Sequence, residues 1–548
     1  MKKIVFSLLL CGLAITTNAQ ESFDVLHMSQ TELRGTSRFM SMAGAFGALG
    51  GDLSTLTQNP AGIGVYRNSD LGITMSLDLN STSVGTKPGN LTTTNETKFN
   101  VNNVGYVGAI RLDSESVPNL NFGFTYNRLQ SFNRHYTGGI GNIQTSLSNY
   151  IAEEFCNVDG ISHNDLYWTD DFDPYHQGNA PWAAITTYDM ETTNGGYVGI
   201  MSYDNGYMFG LYDEGTTGVA SCEVDERGHA DEYNIAFGGN IANKVYFGID
   251  FGILDLDYTS HMYYDESLDN AYIMANDEDL LNSPIIYNNT HADWGLYNYR
   301  RTEGTGVNFK LGLIWKPTQA LRIGAAFHTP TYYDMRSSCF VSAYLKGYQN
   351  DVQLYRAEKG SNDGYDYSST YTMKTPWHFL GSVAGVIGTK GVISLDYECV
   401  ANETMRLGDD RNNDYADVTY RVKEYFKPSH IIRVGGEYRV NPNWSLRAGY
   451  SIKTSQVEKA VDKYEIGIFT VDTNPAYQYD NTVHNITCGV GYRYKAFYTD
   501  LAYVHKIRNS VYNAFSPFYD GNNSTMLSIG SDVTDHNNRL SLTLGMRF

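Results

Sequence analysis

From residue 70 onward, apolar and polar residues alternate with a period of two. Val307, Phe309, Leu311, Leu313 and Trp315 alternate with Asn308, Lys310 and Gly312, and Leu321, Ile323, Ala325 and Phe327 with Arg322, Gly324 and His328. Further on, Ile393, Leu395, Tyr397 and Cys399 alternate with Ser394, Asp396 and Glu398, and Ile432, Val434 and Tyr438 with Arg433 and Glu437. The last residues repeat the pattern, with Leu540, Leu542, Leu544, Met546 and Phe548 set against Arg539, Ser541, Thr543 and Arg547. One apolar face and one charged or small face suit a strand with lipid outside and a wet interior. A soluble sandwich would alternate too, so the connections have to discriminate.

About fourteen such segments occur, near 70–80, 98–112, 119–132, 230–241, 243–258, 304–316, 319–332, 371–388, 390–402, 428–440, 442–455, 481–495, 496–508 and 537–548. Short links at 113–118, 242–243, 317–318, 389–390, 441–443 and 495–496 alternate strictly with long ones at about 81–97, 133–229, 259–303, 333–370, 403–427, 456–480 and 509–536. Short periplasmic turns, long external loops and an even strand number define an outer-membrane barrel, and closure removes the unpaired edges that lipid would not tolerate. The pattern predicts an all-β fold, a 14-stranded antiparallel transmembrane barrel over 70–548, ending on the outward aromatic Phe548.

Residues 37–66, SRFMSMAGAFGALGGDLSTLTQNPAGIGVY, break the alternation. The segment is too rich in Gly and Ala for an ordinary strand and too apolar for a solvated linker. It predicts a thin helix over 38–49, then a second one capped by Asp52 and running to Gln58. Asn59-Pro60 stops that helix, since the residue before proline is driven out of the helical region. Compact pieces of this kind suit a plug inside something hollow, which makes 20–69 a hatch. The glycines form neither G-x-G-x-x-G nor a P-loop, and no βαβ unit surrounds them.

The first residues read as a secretion signal over 1–19: Lys2 and Lys3, an apolar run, then Thr17-Asn18-Ala19 before Gln20. Cys11 lies within the apolar run behind Leu10, which argues against a lipoprotein. No later stretch approaches the ~20 apolar residues of a spanning helix. The formal net charge of −20 argues against nucleic acid. Cys156, Cys222, Cys339, Cys399 and Cys488 form no C-x-x-C pair. Cys156 and Cys222 share one long loop, and the sequence leaves their pairing open.

No enzyme and no cofactor is expected. There is no G-x-S-x-G elbow, no H-E-x-x-H and no C-x-x-C-H. Asp170, Asp171 and Asp173 lack an EF-hand register, so the acidic loop around Trp168 and Trp182 reads as a solvated outer surface, with an external aromatic platform as the alternative. Arg322, Arg433, Arg447, Arg493, Arg539 and Arg547, with Asp250, Asp396, Glu398 and Glu437, fall on inward positions. Arg322, Arg433 and Glu437 are the candidates for contacting a ligand in the lumen, because arginine's planar fork suits a carboxylate. The competing reading is a salt-bridged lumen that braces the hatch.

Two stretches resemble the FadL family of outer-membrane transporters of hydrophobic compounds, in its Bacteroidetes form. They are Met42-Ala43-Gly44-Ala45-Phe46 with Gln58-Asn59-Pro60-Ala61-Gly62, and the hairpin over 308–330 with its Lys316-Pro317-Thr318 turn. The resemblance implies an internal hatch and a hydrophobic ligand, long-chain fatty acid foremost, released sideways toward the membrane. It assigns Asn59, Pro60 and Ala61 to the hatch. The partners it implies are that ligand and the surrounding lipid and lipopolysaccharide. Two alternatives stay open: a PorV-like adaptor whose long loops meet secreted proteins, and a haem receptor using His135, His163, His176 or His229.

Overall fold

A computed structural model describes residues 22–548 except 86–90, 194, 203–205, 278–284, 288, 362–366, 472, 520–524 and 529. The expected signal, 1–19, lies outside the described residues. Fourteen antiparallel strands close into a barrel. They are β1 (Asp70–Gly85), β2 (Leu91–Arg111), β3 (Asn119–Ser131, continued by Arg134–Ile140), β4 (Thr217–Ile241) and β5 (Val245–Asp269). Next come β6 (Thr290–Trp315), β7 (Leu321–His328, continued by Tyr332–Gln349), β8 (Tyr367–Lys374, continued by Trp377–Ile387) and β9 (Gly391–Ala401). The series ends with β10 (Ser429–Arg439), β11 (Trp444–Lys453), β12 (Tyr477–Tyr494), β13 (Phe497–Asn513) and β14 (Ser531–Arg547). β14 returns to β1, where Asp70 faces Arg547 and Gly85 faces Asp532. Closure thus leaves the sheet with no free edge strand, as lipid demands.

The short links fall where the sequence places them. At the β4–β5 turn, Ala242 and Asn243 both take positive φ, 50° and 55°, and Lys244 N donates to Ile241 O at 2.9 Å. That is a type I′ turn, whose twist matches the flanking strands.

The long links are shorter than the alternation suggests, because the strands continue beyond them. β4 starts at Thr217 rather than near 230, and β5 runs on to Asp269. The reason is an inversion of phase. In the lower half of β5, Phe247, Ile249, Phe251 and Ile253 are exposed to lipid while Asp250 faces inward. Above them Leu254, Leu256, Tyr258, Tyr264 and Leu268 are buried inside, and Asp255 and Asp257 turn outward. Where lipid gives way to water, the apolar side of the strand switches from outside to inside, so a strand segment imitates a polar loop.

The inverted upper wall carries a cap. Residues of 143–216, including helices over Leu147–Tyr150, His163–Leu166, Pro174–Gln177 and Trp182–Thr187, share one apolar core with the upper strands. Trp182 lies in this core and Trp168 is exposed. The acidic loop is thus a folded cap with a solvated rim. Cys156 and Cys222 both lie in its core as unbonded thiols, and burial pushes each up to about 12.

One carboxylate ties the cap to the wall. Glu266, on the upper part of β5, accepts Leu147 N at 2.8 Å and the Ser146 hydroxyl. Burial pushes it up to about 7. A carboxyl group that binds its proton more tightly folded than unfolded stabilises the protein at low pH, and the contribution falls as pH rises between the two values. Cap stability should therefore decrease between roughly pH 4.5 and pH 7. Glu266→Gln should flatten that slope in thermal melts followed by cap-specific proteolysis.

Candidate functional site

The N-terminal segment lies inside the barrel. It contains α1 (Ser22–Met28), α2 (Ser37–Ser41), α3 (Thr55–Gln58) and a 3-10 turn over Pro60–Val65. The thin helix expected over 38–49 is only its first turn. Ala43 and Gly44 take positive φ, 51° and 76°, which ends the helix, and the chain continues as tight turns with Gly50 and Gly51 at 64° and 68°. Asp52 does not cap a helix directly. Its Oδ1 accepts Ser54 N at 3.0 Å and the Thr36 hydroxyl at 2.7 Å, while Thr36 itself caps α2.

Asn59 joins parts of the hatch and reaches the wall. Its amide donates to Gly47 O at 2.6 Å and to Leu313 O of β6 at 3.4 Å, and its oxygen accepts Ala61 N at 3.1 Å. Pro60 opens the 3-10 turn, and Ala61 is fully buried. Around them the wall is paved with glycine. A Cβ on Gly248 would overlap the Pro60 carbonyl, one on Gly312 the Asn59 amide oxygen, and one on Gly324 the Gly47 carbonyl. Gly435 and Gly449 leave the same room for Met42. These inward glycines are the sequence signal for the hatch footprint that alternation alone does not reveal.

Ion pairs brace the assembly. Arg34 donates to Asp78 at 2.9 Å and Arg539 grips the other Asp78 oxygen at 2.8 Å. Arg38 of α2 meets Glu437 at 3.0 Å, and Arg447 meets the same oxygen at 2.6 Å. Arg322 donates to Leu49 O at 2.7 Å. Arg547 donates to Gly51 O at 3.2 Å, and Asp396 accepts Gly47 N at 2.8 Å. Of the three candidate ligand contacts, Arg322 and Glu437 therefore hold the hatch and do not line the cavity, whereas Arg433 does line it.

That cavity, about 240 Å³, lies above the hatch, with Thr57 and Gln58 on one side and His27–Glu32 on another. Its wall is rich in charge. Lys310 bonds both Glu232 oxygens at 2.5 and 2.6 Å, and Arg508 bonds Asp480 at 2.7 Å. Glu398 accepts Arg433 Nη2 at 2.5 Å and contacts His378 Nδ1 at 2.7 Å. Arg433 Nη1 is buried with no hydrogen-bond partner among the described residues. Lys453, also lining the cavity, bonds the neutral Gln30 amide oxygen.

Over the cavity is an apolar chamber, and α1 fills it. Phe23 packs against Phe426 at 5.0 Å, Tyr477 at 5.2 Å and Tyr425 at 5.9 Å. Val25, Leu26 and Met28 are buried with Leu254, Tyr258, Tyr333 and Met335. Asp24 pairs through both oxygens with Arg300 of β6, which fixes the helix. Sequence reasoning missed α1, since seven residues are too few to show a helical period.

The wall is discontinuous at two places beside the cavity. Pairing of β2 with β3 stops at Asn103 and Asn127; above it Thr94 of β2 bridges the gap to His135 O, and Asn80 of β1 donates to Asn133 O at 3.1 Å. Lys98, on an inward position of β2, lines the cavity and is solvent-exposed, while Leu77, Leu79 and Phe99 face outward at the same level. The second break runs through β7 and β8 at Pro330 and Pro376, which have no amide to donate. Of the four histidines expected in the large loop, His135 lies on β3 beside Glu223 and His229 on β4 beside Asp231 and Asp255, whereas His163 meets Tyr188 and His176 meets Asp173 in the cap.

The fold and the family match below indicate a bacterial outer-membrane barrel, with its N-terminal segment inside. Residues 234–469 match the family described as outer membrane protein transport protein (OMPP1/FadL/TodX), a family of transport proteins and not of enzymes. No match was found among curated proteins. A FadL homologue of Pseudomonas aeruginosa has the same fold, with 11% identity over 95% of this chain and 100% of that one and a TM-score of 0.50. The P. putida toluene transporter TodX superposes with a TM-score of 0.45 at 12% identity, covering 94% of this chain and 99% of that one.

If the glycine paving seats the hatch, Gly248→Val should unseat it at a cost of about 1–3 kcal/mol. The barrel should still migrate as a heat-modifiable species, and planar-bilayer recordings should show a raised basal conductance.

Proposed function

We propose that this chain is an outer-membrane channel for passive uptake of hydrophobic small molecules, long-chain fatty acids foremost, gated by its own N-terminal segment. The observation that carries the reading is the arrangement around α1. An apolar chamber occupied by a seven-residue helix sits directly over a cavity whose Arg433 and Lys453 offer cationic donors not fully matched by carboxylates. The cavity itself is polar and would serve an alkane poorly. An amphiphile with one acyl chain and one anionic group suits both halves once α1 yields its place. Arginine would meet a carboxylate through paired hydrogen bonds.

Affinity then depends on how readily α1 leaves, since binding is weakened by the fraction of molecules whose chamber is filled. The gap between β2 and β3, bordered outside by Leu77, Leu79 and Phe99, supplies a sideways exit into the membrane. Asn59, Pro60 and Ala61 hold the hatch so that the channel does not leak.

Oleate binding to the detergent-purified protein tests this by native mass spectrometry and titration. One bound acyl chain per barrel is expected. Asp24→Asn leaves Arg300 unpaired, loosens α1, and should tighten oleate binding about tenfold, or ~1.4 kcal/mol. Arg433→Gln should weaken oleate about tenfold while leaving an uncharged alcohol of equal chain length unaffected. Asn59→Ala, which leaves buried groups unpaired at roughly 1–3 kcal/mol, should abolish oleate uptake by cells with barrel assembly intact. A barrel that binds no acyl chain and instead co-purifies with a secreted protein would favour the adaptor reading.

A further inference from the structure

The upper walls of β5, β6 and β7 carry an outward surface that transport does not use. Register places their outward residues in rows that climb away from the membrane. Ile253, Val307 and Tyr332 form the last apolar row. Three polar rows follow: Asp255 with Thr305 and Asp334, Asp257 with Glu303 and Arg336, and Thr259 with Arg301 and Ser338. Above these, aromatic rings return, with His261, Tyr299 and Phe340 in one row and Tyr263 and Tyr297 in the next.

The rings form one continuous surface. Tyr263 and Tyr297 stack at 4.5 Å with an interplanar angle of 25°, and Tyr297 stacks on His261 at 6.2 Å and 21°. Phe340 lies 6.2 Å from Tyr297, and His261 Nδ1 and the Tyr297 hydroxyl are 2.9 Å apart. Tyr263 is 42% exposed and the others are half-buried, so the stack stands out from the wall with Tyr263 its most accessible ring. Hydrogen-bonding groups border them: Asp225 and Glu223 face His261 and Tyr263 from β4, and Asp265 lies in the row above.

These rings are not the aromatic girdle of the bilayer interface, which belongs beside the last apolar row. Four rows at two residues each put them roughly 27 Å further along the strand, about 20 Å higher once tilt is allowed for. Three charged or polar rows separate them from the acyl chains. That height is the zone of the sugars on an outer-leaflet glycolipid. Sugar rings have one apolar C–H face and a rim of hydroxyls, which suits the accessible Tyr263 ring of the stack, bordered by the Glu223 and Asp265 carboxylates. We propose that this platform binds the core oligosaccharide of neighbouring membrane glycolipid, the acyl chains of the same molecule resting on Ile253, Val307 and Tyr332 below.

The test uses the full-length protein in detergent micelles, with two probes: lipopolysaccharide carrying only its core oligosaccharide, and lipid A without it. Calorimetric titration should show the core-bearing probe binding at least tenfold more tightly. The double variant Tyr263→Ala with Tyr297→Ala should bring it down to the lipid A level, and the double variant Tyr263→Phe with Tyr297→Phe should retain the preference. Heat-modifiable migration confirms that each variant is folded. Equal binding of both probes by the unmodified protein, or an undiminished preference in the alanine variant, overturns the proposal. Free core oligosaccharide binding as tightly as the intact glycolipid also overturns it, because the site would then serve a soluble sugar.

Discussion

Lipid offers the peptide backbone no hydrogen-bond partner, and the rest of the structure follows from that constraint. It requires β14 to close on β1, it keeps the periplasmic links to tight turns, and it makes any gap in the ladder expensive. Where the ladder does fail, something must compensate. Between β2 and β3, the Thr94 side chain takes over from backbone pairing, and Asn80 of β1 reaches Asn133 O. At β7 and β8, Pro330 and Pro376 remove the donor altogether. Both breaks border the cavity, so the least protected parts of the wall adjoin the space in which a ligand would sit.

Closure creates a second problem, a hole through the membrane, and the N-terminal segment fills it with two different kinds of contact. Residues 34–65 meet the wall backbone to backbone, across glycines, and through ion pairs such as the buried Arg34–Asp78 and the part-buried Arg38–Glu437. Removing one partner of such a pair leaves an uncompensated buried charge at several kcal/mol, so this part is firmly seated. α1 is held differently, by one ion pair to Arg300 and by a small apolar face. The segment thus divides into a lower part held by backbone contacts and ion pairs and an upper part held by side-chain packing.

Much of the barrel is legible in the sequence because lipid enforces a clean alternation: Val307 to Trp315 and Leu540 to Phe548 can be read directly. Legibility ends where the surroundings change sides. Residues 217–229 read as loop because Ala220, Cys222 and Val224 are apolar inward and Glu223 and Asp225 polar outward, the reverse of the membrane zone. Asn59-Pro60-Ala61 is a local turn signal, and the chain does turn there. The helix over 38–49 does not form in full, since Ala43 in the left-handed region is a conformation forced by packing and invisible in composition. Arg322, Arg433 and Glu437 share one inward pattern, and only the neighbours brought in by folding separate the brace from the cavity.

The glycine paving makes hatch and barrel a matched pair. Gly248, Gly312, Gly324, Gly435 and Gly449 belong to the strands, yet their shape is the imprint of a segment some two hundred or more residues earlier in the chain. A hatch transplanted from another barrel would not find its mould, whereas α1, which rests on side chains, could be exchanged without recasting the wall. Diversification of such channels then has an easy direction and a hard one: the occupant of the upper chamber is free to vary, and the turns beneath it change only in step with several strands at once.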